Sequence, residues 1–284
     1  MTPEEALAYA GDDRGVHFTE YVEIKKSSPS KVFRSEFHQF EEKMGGLKIG
    51  EVVVVTGHRK EGKTTFVESW LRSLMINNEE AKAIVFSFEM DAVDLLQKYS
   101  GEPHLPLYLP LSLKAMDFDW FKDRCEESKY KYNTRIIVID HLHFLVDMST
   151  KQNMSLNIGA FMRRLKQDIA IGLKMSVILI AHQSQPKEGR EASVDTLRDS
   201  TFIAQESDAT ITVMRRKNLD DVEMKDFCKE DIFKRQLLTP PVGSSWDDNF
   251  SANLAMVKID CHRRTGTWQW KKLFQKRGNF FEEV

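Results

Sequence analysis

The sequence predicts an α/β fold, with a mainly parallel sheet, helices on both faces and an antiparallel extension at the C-terminal end. Five apolar runs rich in valine and isoleucine are continuous rather than alternating, which is typical of strands buried on both faces; they lie at 51–56, 83–88, 135–140, 176–182 and 209–215. Helical patterns separate these runs, at 63–77, 91–99, 117–130, 154–172 and 194–205. Two further apolar runs close the chain, at 254–261 and 267–274. Strands that alternate with helices favour a parallel sheet, whose ligands bind beyond the carboxyl ends of the strands.

The chain is expected to contain a short leading segment and one large domain. Residues 1–34 are polar and mixed, and we expect a helix and a linker there. Residues 35–284 carry the strand and helix pattern and form the predicted domain. Within it, residues 218–253 are charged, contain Pro240, Pro241 and Gly243, and are predicted to form a variable excursion.

The composition is ordinary for a soluble globular protein, with 41% hydrophobic and 30% charged residues. No run of 18 apolar residues occurs, so no membrane span is expected, and the acidic, helix-prone start resembles neither a signal peptide nor a transit peptide. The three cysteines are far apart and are expected to be reduced thiols of a cytosolic protein. The net charge of -2 hides a basic stretch over 258–278, which could serve DNA phosphates, nucleotide phosphates or simple solvation.

The strongest motif runs from Gly57 to Thr64 and fits the phosphate-binding pattern G-x-x-x-x-G-K-[ST]. It follows an apolar run and precedes a helical pattern, as a P-loop must. Its glycines let backbone N–H groups surround phosphates, and the helix N-terminus adds a positive dipole. We expect Lys63 to reach the β- and γ-phosphates of ATP and the Thr64 hydroxyl to hold Mg²⁺. The predicted nucleotide-binding residues of this loop are Gly57, Lys60, Glu61, Gly62, Lys63, Thr64 and Thr65.

Polar residues also follow three other apolar runs, at the edge where a ligand is expected. Asp140 ends the third run and is placed to orient Mg²⁺, although an aspartate at a strand end can also act as a simple cap. Glu89 follows the second run and could activate the attacking water, or could only stabilise the first turn of the next helix. His182 ends the fourth run and could be a working group or a structural side chain.

The order of these motifs resembles the DnaB and Twinkle family of ring-shaped replicative DNA helicases, whose motor is a RecA-like P-loop ATPase core. The resemblance covers about residues 35–278. Residues 86–90, Phe-Ser-Phe-Glu-Met, resemble the family's F-S-L-E-M segment, which implies that Glu89 is the catalytic base. Residues 137–144 resemble its Walker B segment and imply that Asp140 organises Mg²⁺. His182 falls where the family carries a γ-phosphate sensor.

A second resemblance concerns contacts with single-stranded DNA. Residues 197–208 resemble the family's D-L-R-E-S-G-x-I-x-Q-D-A-D stretch, which contacts DNA in the central channel. The residue at position 201 departs from the pattern, because a threonine replaces the family's glycine. We assign DNA binding to Lys187 and Arg190 in the preceding loop and to Arg198, Asp199 and Thr201, and a place near the coupling path to Gln205.

Residues 258–266 resemble the segment with which a neighbouring subunit supplies an arginine finger in this family. The family pattern is K-x-R, a short turn and T-G, and the spacing here departs from it. Counting back from Thr265 and Gly266 selects Arg263, but its lysine partner then falls on Cys261. Arg263 and Arg264 therefore both remain candidates.

These resemblances imply Mg²⁺-ATP-driven translocation on single-stranded DNA and unwinding of duplex DNA during replication. The expected assembly is a ring, most simply a hexamer, with active sites between subunits. A primase or a loader is an expected partner, and the expected location is the cytoplasm of a bacterial or phage-infected cell, with a mitochondrial location left open. Two alternatives remain: a non-helicase RecA-like ATPase, such as a recombinase or regulatory ATPase, and a P-loop small-molecule kinase, for which only residues 218–253 could supply a lid.

Overall fold

The structure is a computed structural model that describes residues 2–8, 15–27, 30–88, 92–99, 101, 104–114, 117–141, 154–182, 203, 205–215 and 254–284. The chain divides into two units, Met1–Lys31 and Val32–Val284. The first unit contains helices α1 (Pro3–Ala8) and α2 (Phe18–Ser27), and α1 buries none of its side chains. Among the helices described, none is long and apolar enough to cross a membrane.

The second unit is an α/β structure. Its strands are β1 (Val32–Phe33), β2 (Leu47–Lys48), β3 (Val52–Gly57), β4 (Ala83–Ser87), β5 (Leu107–Tyr108), β6 (Ile136–Asp140), β7 (Ser176–His182), β8 (Ala209–Arg215), β9 (Leu254–His262), β10 (Trp268–Arg277) and β11 (Phe280–Glu283). Its helices are α3 (His38–Met44), α4 (Lys63–Asn77), α5 (Ala92–Lys98), α6 (Phe118–Tyr132) and α7 (Met154–Arg164).

Within the described residues, nine strands form one sheet in the order β11-β10-β9-β8-β3-β7-β6-β4-β5. The strands from β8 to β5 are parallel, and β9, β10 and β11 continue the sheet in antiparallel fashion. The predicted parallel sheet with its C-terminal antiparallel extension is therefore confirmed. The short strands β1, β2, β5 and β11 were not predicted, because two to four residues carry no periodic signal.

The continuous apolar runs are explained by burial on both faces of the sheet. On β3, Val53 and Val55 belong to one core with α4, whereas Val52 and Val54 belong to the other core with α7. All four valine side chains are fully buried. Helices on both faces are thus confirmed, and the position of β3 at the centre of the sheet fixes where the loop after it must lie.

Helix α7 continues as a π-helix over Leu165–Gly172, where the sequence predicts one continuous helix over 154–172. Lys166 of this π-helix donates to the carbonyl of Gly50 at 2.9 Å and pairs with the carboxylate of Asp208. The predicted helix over 194–205 lies mostly outside the described residues, and so does the excursion over 218–253.

Helix α3 precedes the central strand, in a stretch for which the sequence predicts no secondary structure. Its N-cap residue is Phe37, which has no side-chain oxygen, and the carboxylate of Glu283 on β11 takes over that role. Glu283 accepts hydrogen bonds from the backbone N–H groups of Gln39 at 2.9 Å and Phe40 at 2.8 Å. A negative charge at a helix N-terminus is stabilised by the helix dipole, so this contact fixes α3 to the last strand.

Glu41 of α3 is a buried acid among aromatic side chains. One of its carboxylate oxygens accepts from the Ser35 hydroxyl at 2.6 Å, the Ser35 N–H at 3.0 Å and the Trp70 indole at 3.3 Å. Burial raises the pKa of Glu41, although these hydrogen bonds from Ser35 and Trp70 act in the opposite direction. The protonated form of Glu41 is therefore relatively favoured in the folded chain.

Candidate active site

The loop between β3 and α4 has the backbone geometry that phosphate binding requires. Gly57 ends β3 with a φ of 148°, and a Cβ at this position would lie 2.3 Å from the carbonyl oxygen of Val213 on β8. Only glycine therefore allows β8 to approach the start of the loop so closely. Gly62, with a φ of 89°, is the N-cap of α4, so the first turn of this helix faces the loop without a capping side chain.

Lys63 and Thr64 begin α4 and carry the chemistry of the loop. Lys63 is only 4% exposed, and its ammonium donates to the carbonyl of His58 within the loop at 2.7 Å. The Thr64 hydroxyl donates to a carboxylate oxygen of Asp140 at 3.1 Å. Asp140 lies at the end of β6 and is 4% exposed. A hydroxyl and a carboxylate are hard oxygen ligands of the kind Mg²⁺ prefers, so these two residues fit a Mg²⁺-nucleotide.

The remaining loop residues differ in exposure. Lys60 is exposed and has a φ of 65°, whereas Glu61 is 1% exposed. The carbonyl of Thr65 accepts from the Ser69 hydroxyl at 2.5 Å, inside α4. Burial lowers the pKa of His58, and the nearby Lys63 ammonium lowers it further against the opposing effect of Glu61.

Ser87 also contributes to this edge of the sheet, although the sequence pattern assigns it no role. Its Cα is the register partner of Asp140 across β4 and β6, and the following Phe88 N–H donates to the Asp140 carbonyl at 2.6 Å. Ser87, Thr64 and Asp140 are among the residues that line one cavity. Sequence gives no signal for this, because a serine at a strand end is common.

His182 ends β7 beside the loop, where its Cα is the register partner of Gly57. The ring of His141 lies against it, with ring centroids 3.8 Å apart at 75°. His141 directly follows Asp140 and is 4% exposed. The predicted sensor position is thus packed between the phosphate loop and the end of β6, and His141 is a neighbour that the sequence motifs do not single out.

Several predicted site residues lie outside the described part of the chain: Glu89, Lys187, Arg190, Arg198, Asp199 and Thr201. Gln205 is described and exposed. Its carbonyl accepts a hydrogen bond from the guanidinium of Arg263. The structure therefore links the predicted coupling residue to the predicted arginine segment.

Arg264 lies in the turn between β9 and β10 and is bound within its own chain. Its guanidinium makes two hydrogen bonds to the carboxylate of Glu51, at 2.5 and 3.2 Å. It also donates to the carbonyls of Met44 at 3.4 Å, Gly45 at 3.2 Å and Gly46 at 2.8 Å. A planar guanidinium that satisfies this many acceptors is an anchor rather than a mobile group.

The charge on Glu51 is maintained by His262 and Arg264 together. Burial of Glu51 acts to raise its pKa, but the His262 ring and the hydrogen bonds and charge of Arg264 outweigh it and lower the pKa to about 2. The Glu51 side chain is 8% exposed and that of Arg264 is 29% exposed. The Glu51 carboxylate is therefore buried, and the Arg264 guanidinium is partly buried.

Arg263 points away from this anchor. Its backbone N–H donates to the carbonyl of Asp208 at 2.8 Å, and its side chain is exposed apart from the contact with Gln205. The Asp208 carboxylate in turn accepts from the Val52 N–H at 2.7 Å and pairs with Lys166. The adjacent arginines thus have different partners, Glu51 for Arg264 and the Gln205 carbonyl for Arg263.

The two predicted halves of the catalytic site lie at opposite ends of the parallel strands. The phosphate loop follows the carboxyl end of β3, whereas Arg264 contacts Glu51, which precedes its amino end. The residues from Glu51 to Gly57 span about 20 Å at roughly 3.3 Å per strand residue. Arg263 lies at the same end of the strands, because its backbone N–H binds the carbonyl of Asp208, which directly precedes β8. An arginine side chain is shorter than that distance, so Arg263 does not reach the phosphate loop of its own chain.

Comparison with known proteins identifies the family. The model of the DnaB-like helicase C-terminal domain matches residues 33–103 and 104–283. The replicative DNA helicase DnaB of Mycoplasma pneumoniae (strain ATCC 29342 / M129 / Subtype 1) is 22% identical over 270 residues, which cover 79% of this chain and 57% of that protein. DnaB of Leifsonia xyli subsp. xyli (strain CTCB07) is 21% identical over 210 residues, which cover 63% of this chain and 46% of that protein. The chain spans about half the length of these curated relatives.

Solved structures show the same fold. One solved ATPase domain has a TM-score of 0.68 at 16% identity, over 100% of this chain and 99% of that chain. A DnaB-like replicative helicase, described with its interactions with primase, has a TM-score of 0.68 at 17% identity, over 99% of this chain and 70% of that chain. With the family model matching most of its length, this chain belongs to the DnaB-like helicase C-terminal domain family.

Proposed function

We propose that this chain is the motor of a replicative DNA helicase, in which hydrolysis of Mg²⁺-ATP drives translocation on single-stranded DNA and unwinding of the duplex. The proposed assembly is a ring, with each active site completed by a neighbouring chain. The observation that carries the proposal is that the phosphate loop and Arg263 lie at opposite ends of the parallel strands of one sheet. Such a chain holds two half-sites that can meet only in an oligomer. The family membership and the relatives' names support the same conclusion.

In this proposal the phosphate loop and Lys63 bind the β- and γ-phosphates, and Thr64 and Asp140 hold the metal. Bound Mg²⁺ would neutralise charge on the phosphate oxygens. Glu89 is the proposed general base, which would take a proton from the attacking water. His182 is the proposed γ-phosphate sensor, and its position beside Gly57 at the start of the loop supports this role.

Arg263, rather than Arg264, is the proposed trans arginine. Its guanidinium is exposed and is held in the chain by the Gln205 carbonyl, whereas Arg264 is committed to Glu51. An arginine from a neighbour would stabilise charge that develops only in the transition state. Hydrolysis would then depend on assembly.

The proposed DNA contacts are Lys187, Arg190, Arg198, Asp199 and Thr201, with Gln205 relaying DNA binding to Arg263. A primase or a loader remains a proposed partner, since one structural neighbour is a helicase described with its interactions with primase. A hexameric ring in the cytoplasm is part of the same proposal.

ATP hydrolysis with and without single-stranded DNA tests this function, together with strand separation on a forked duplex. We expect DNA-stimulated hydrolysis and ATP-dependent unwinding. Lys63→Ala should abolish both, because it removes the main positive charge from the phosphates. DNA-stimulated hydrolysis without unwinding would indicate a non-helicase RecA-like ATPase, and phosphate transfer to a small molecule would indicate a kinase.

Mixing variants tests the trans arginine. Arg263→Ala should bind ATP but turn over at least about 10³-fold more slowly than wild type. An excess of Lys63→Ala chains should restore part of its activity, because its intact phosphate loops then meet intact arginines. Arg277→Ala is the matched control, since Arg277 is an exposed arginine on β10 that pairs with Glu282. Normal turnover of Arg263→Ala would contradict the assignment.

A further inference from the structure

Strand β9 carries an irregularity just before the turn that holds Arg263. Thr210 of β8 pairs with Cys261, but the next residue, Ile211, pairs with Ile259. Asp260 is therefore an extra residue on β9, in a β-bulge. Bulges next to active sites commonly redirect the side chains that follow them.

The bulge decides which side chains of the turn are buried. Residues directly opposite each other in antiparallel strands share a face, so Ile259 shares the face of Ile211 and His262 shares that of Ala209. Ile211 and Ala209 belong to one core. Ile259 and His262 therefore lie on one face although they are three residues apart, whereas a regular strand would place them on opposite faces.

The face assigned to His262 determines the place of its neighbours in the turn. His262 is 2% exposed, and its ring contacts the Thr265 hydroxyl at 2.7 Å. With His262 inside, the Arg263 guanidinium meets the Gln205 carbonyl and the Arg264 guanidinium reaches Glu51. In the regular register Asp260 would pair with Thr210, and Arg263 would move by about 3.3 Å along the strand.

The bulge is held by buried polar contacts. Asp260 is 1% exposed, and its carboxylate accepts from the Thr212 hydroxyl at 2.5 Å. Its second oxygen lies 3.3 Å from the ammonium of Lys258, which is 14% exposed. A buried ion pair is rarely more stable than apolar side chains of the same volume, so its best-attested contribution is to specify one arrangement, here the register of β9.

We propose that Asp260 is a positioning residue for Arg263. The bulge at Asp260 determines on which side of the turn the Arg263 side chain lies and how far along the strand it is placed. Both determine where this arginine enters the neighbouring active site. This inference rests on the proposed function, because it assumes that Arg263 acts in trans. A displacement of about 1 Å at a catalytic group can lower turnover about 100-fold, and the alternative register moves Arg263 further than that.

The test measures ATP hydrolysis by Asp260→Ala alone and in mixtures. The expected result is a kcat lowered by about 10-fold or more, with KM within about 2-fold of wild type, because the phosphate loop of the variant is intact. An excess of Lys63→Ala chains should restore activity, since they present a correctly placed Arg263. An excess of chains carrying both Lys63→Ala and Asp260→Ala should not. A role confined to folding would make the two mixtures equal.

Two further variants keep the outcome decisive if Asp260→Ala folds poorly. Thr212→Val removes only the hydroxyl that holds the carboxylate and should show a smaller fall in kcat with the same dependence on the mixing partner. Asp260→Asn keeps an oxygen for Thr212 and should retain more activity than Thr212→Val or Asp260→Ala. Wild-type turnover in Asp260→Ala and Thr212→Val would overturn the inference. In that case, turnover of Arg263→Ala distinguishes the two proposals. If ATP hydrolysis by Arg263→Ala is slow, only the role of Asp260 is wrong. If it is also normal, the assignment of Arg263 as the trans arginine is wrong.

Discussion

Substitutions of the two adjacent arginines in the β9–β10 turn should differ in their effect on stability. Arg264→Ala removes the partner of a buried carboxylate, whereas Arg263→Ala removes an exposed guanidinium. We therefore expect Arg264→Ala to lower the free energy of unfolding and Arg263→Ala to leave it within about 0.5 kcal/mol of wild type. Turnover should fall in both, directly in Arg263→Ala and through loss of the turn's anchor in Arg264→Ala.

The size of the stability effect follows from the charge on Glu51. Its pKa falls from an ordinary 4.5 to about 2 in the folded chain. At about 1.4 kcal/mol for each tenfold change in proton affinity, this corresponds to roughly 3 kcal/mol. His262 shares in that stabilisation, so Arg264→Ala should cost about 1–3 kcal/mol. For a chain of this size the melting temperature should fall by about 2–4 °C per kcal/mol.

The pH dependence gives a second check on the same pair. Because the pKa of Glu51 is lower in the folded chain than in the unfolded chain, its stabilisation is present above a pH of about 4.5 and is lost as the pH falls towards about 2. The stability difference between wild type and Glu51→Gln should therefore shrink over that range. Urea denaturation at neutral and acidic pH measures it. The reasoning would be refuted if Arg264→Ala were as stable as wild type. It would also be refuted if Arg263→Ala lowered the free energy of unfolding as much as Arg264→Ala does.

The remaining predictions concern the phosphate site and two further acids, Glu283 and Glu41. Glu89→Gln should bind ATP but hydrolyse it very slowly, since an amide cannot take the water's proton; wild-type turnover would leave Glu89 as a helix-end carboxylate. Glu283→Ala should cost about 1–2 kcal/mol in urea denaturation, because α3 loses its cap; an unchanged midpoint would contradict the capping role. Because burial raises the pKa of Glu41, wild-type stability should decline as the pH rises above about 4.5, and Glu41→Gln should lack this decline. Parallel stability profiles of the two chains would contradict it.

The sequence predicts the central sheet well because local signals specify it. Buried strands such as β3 and β7 are continuous apolar runs, and their pattern requires no knowledge of distant partners. The phosphate loop is equally local, since its glycines, its lysine and its threonine are adjacent in the chain. The Thr64–Asp140 contact follows from topology, because both residues lie at the carboxyl edge of parallel strands.

What the sequence leaves open depends on partners that are distant in the chain. The difference in surroundings between Arg263 and Arg264 depends on Glu51, which is 213 positions from Arg264. The helix α3 depends on Glu283, more than 240 positions away. The bulge at Asp260 depends on the pairing register of β9 with β8. A one-residue slip in that register would move the side chains to the opposite face, and the hydrophobicity of the sequence would be the same in both registers. None of these contacts leaves a periodic signal.

The contact between Glu51 and Arg264 has a mechanical consequence for the proposed ring. Strand β3 carries the phosphate loop at its carboxyl end, and the residue that precedes its amino end holds Arg264. Val52 and Lys166 also hold Asp208, whose carbonyl binds the backbone of Arg263. These contacts connect β3, which carries the phosphate loop, to the turn that carries Arg263. In the proposed ring, a rotation of one chain at its own nucleotide would therefore also displace the arginine that this chain presents to the next site.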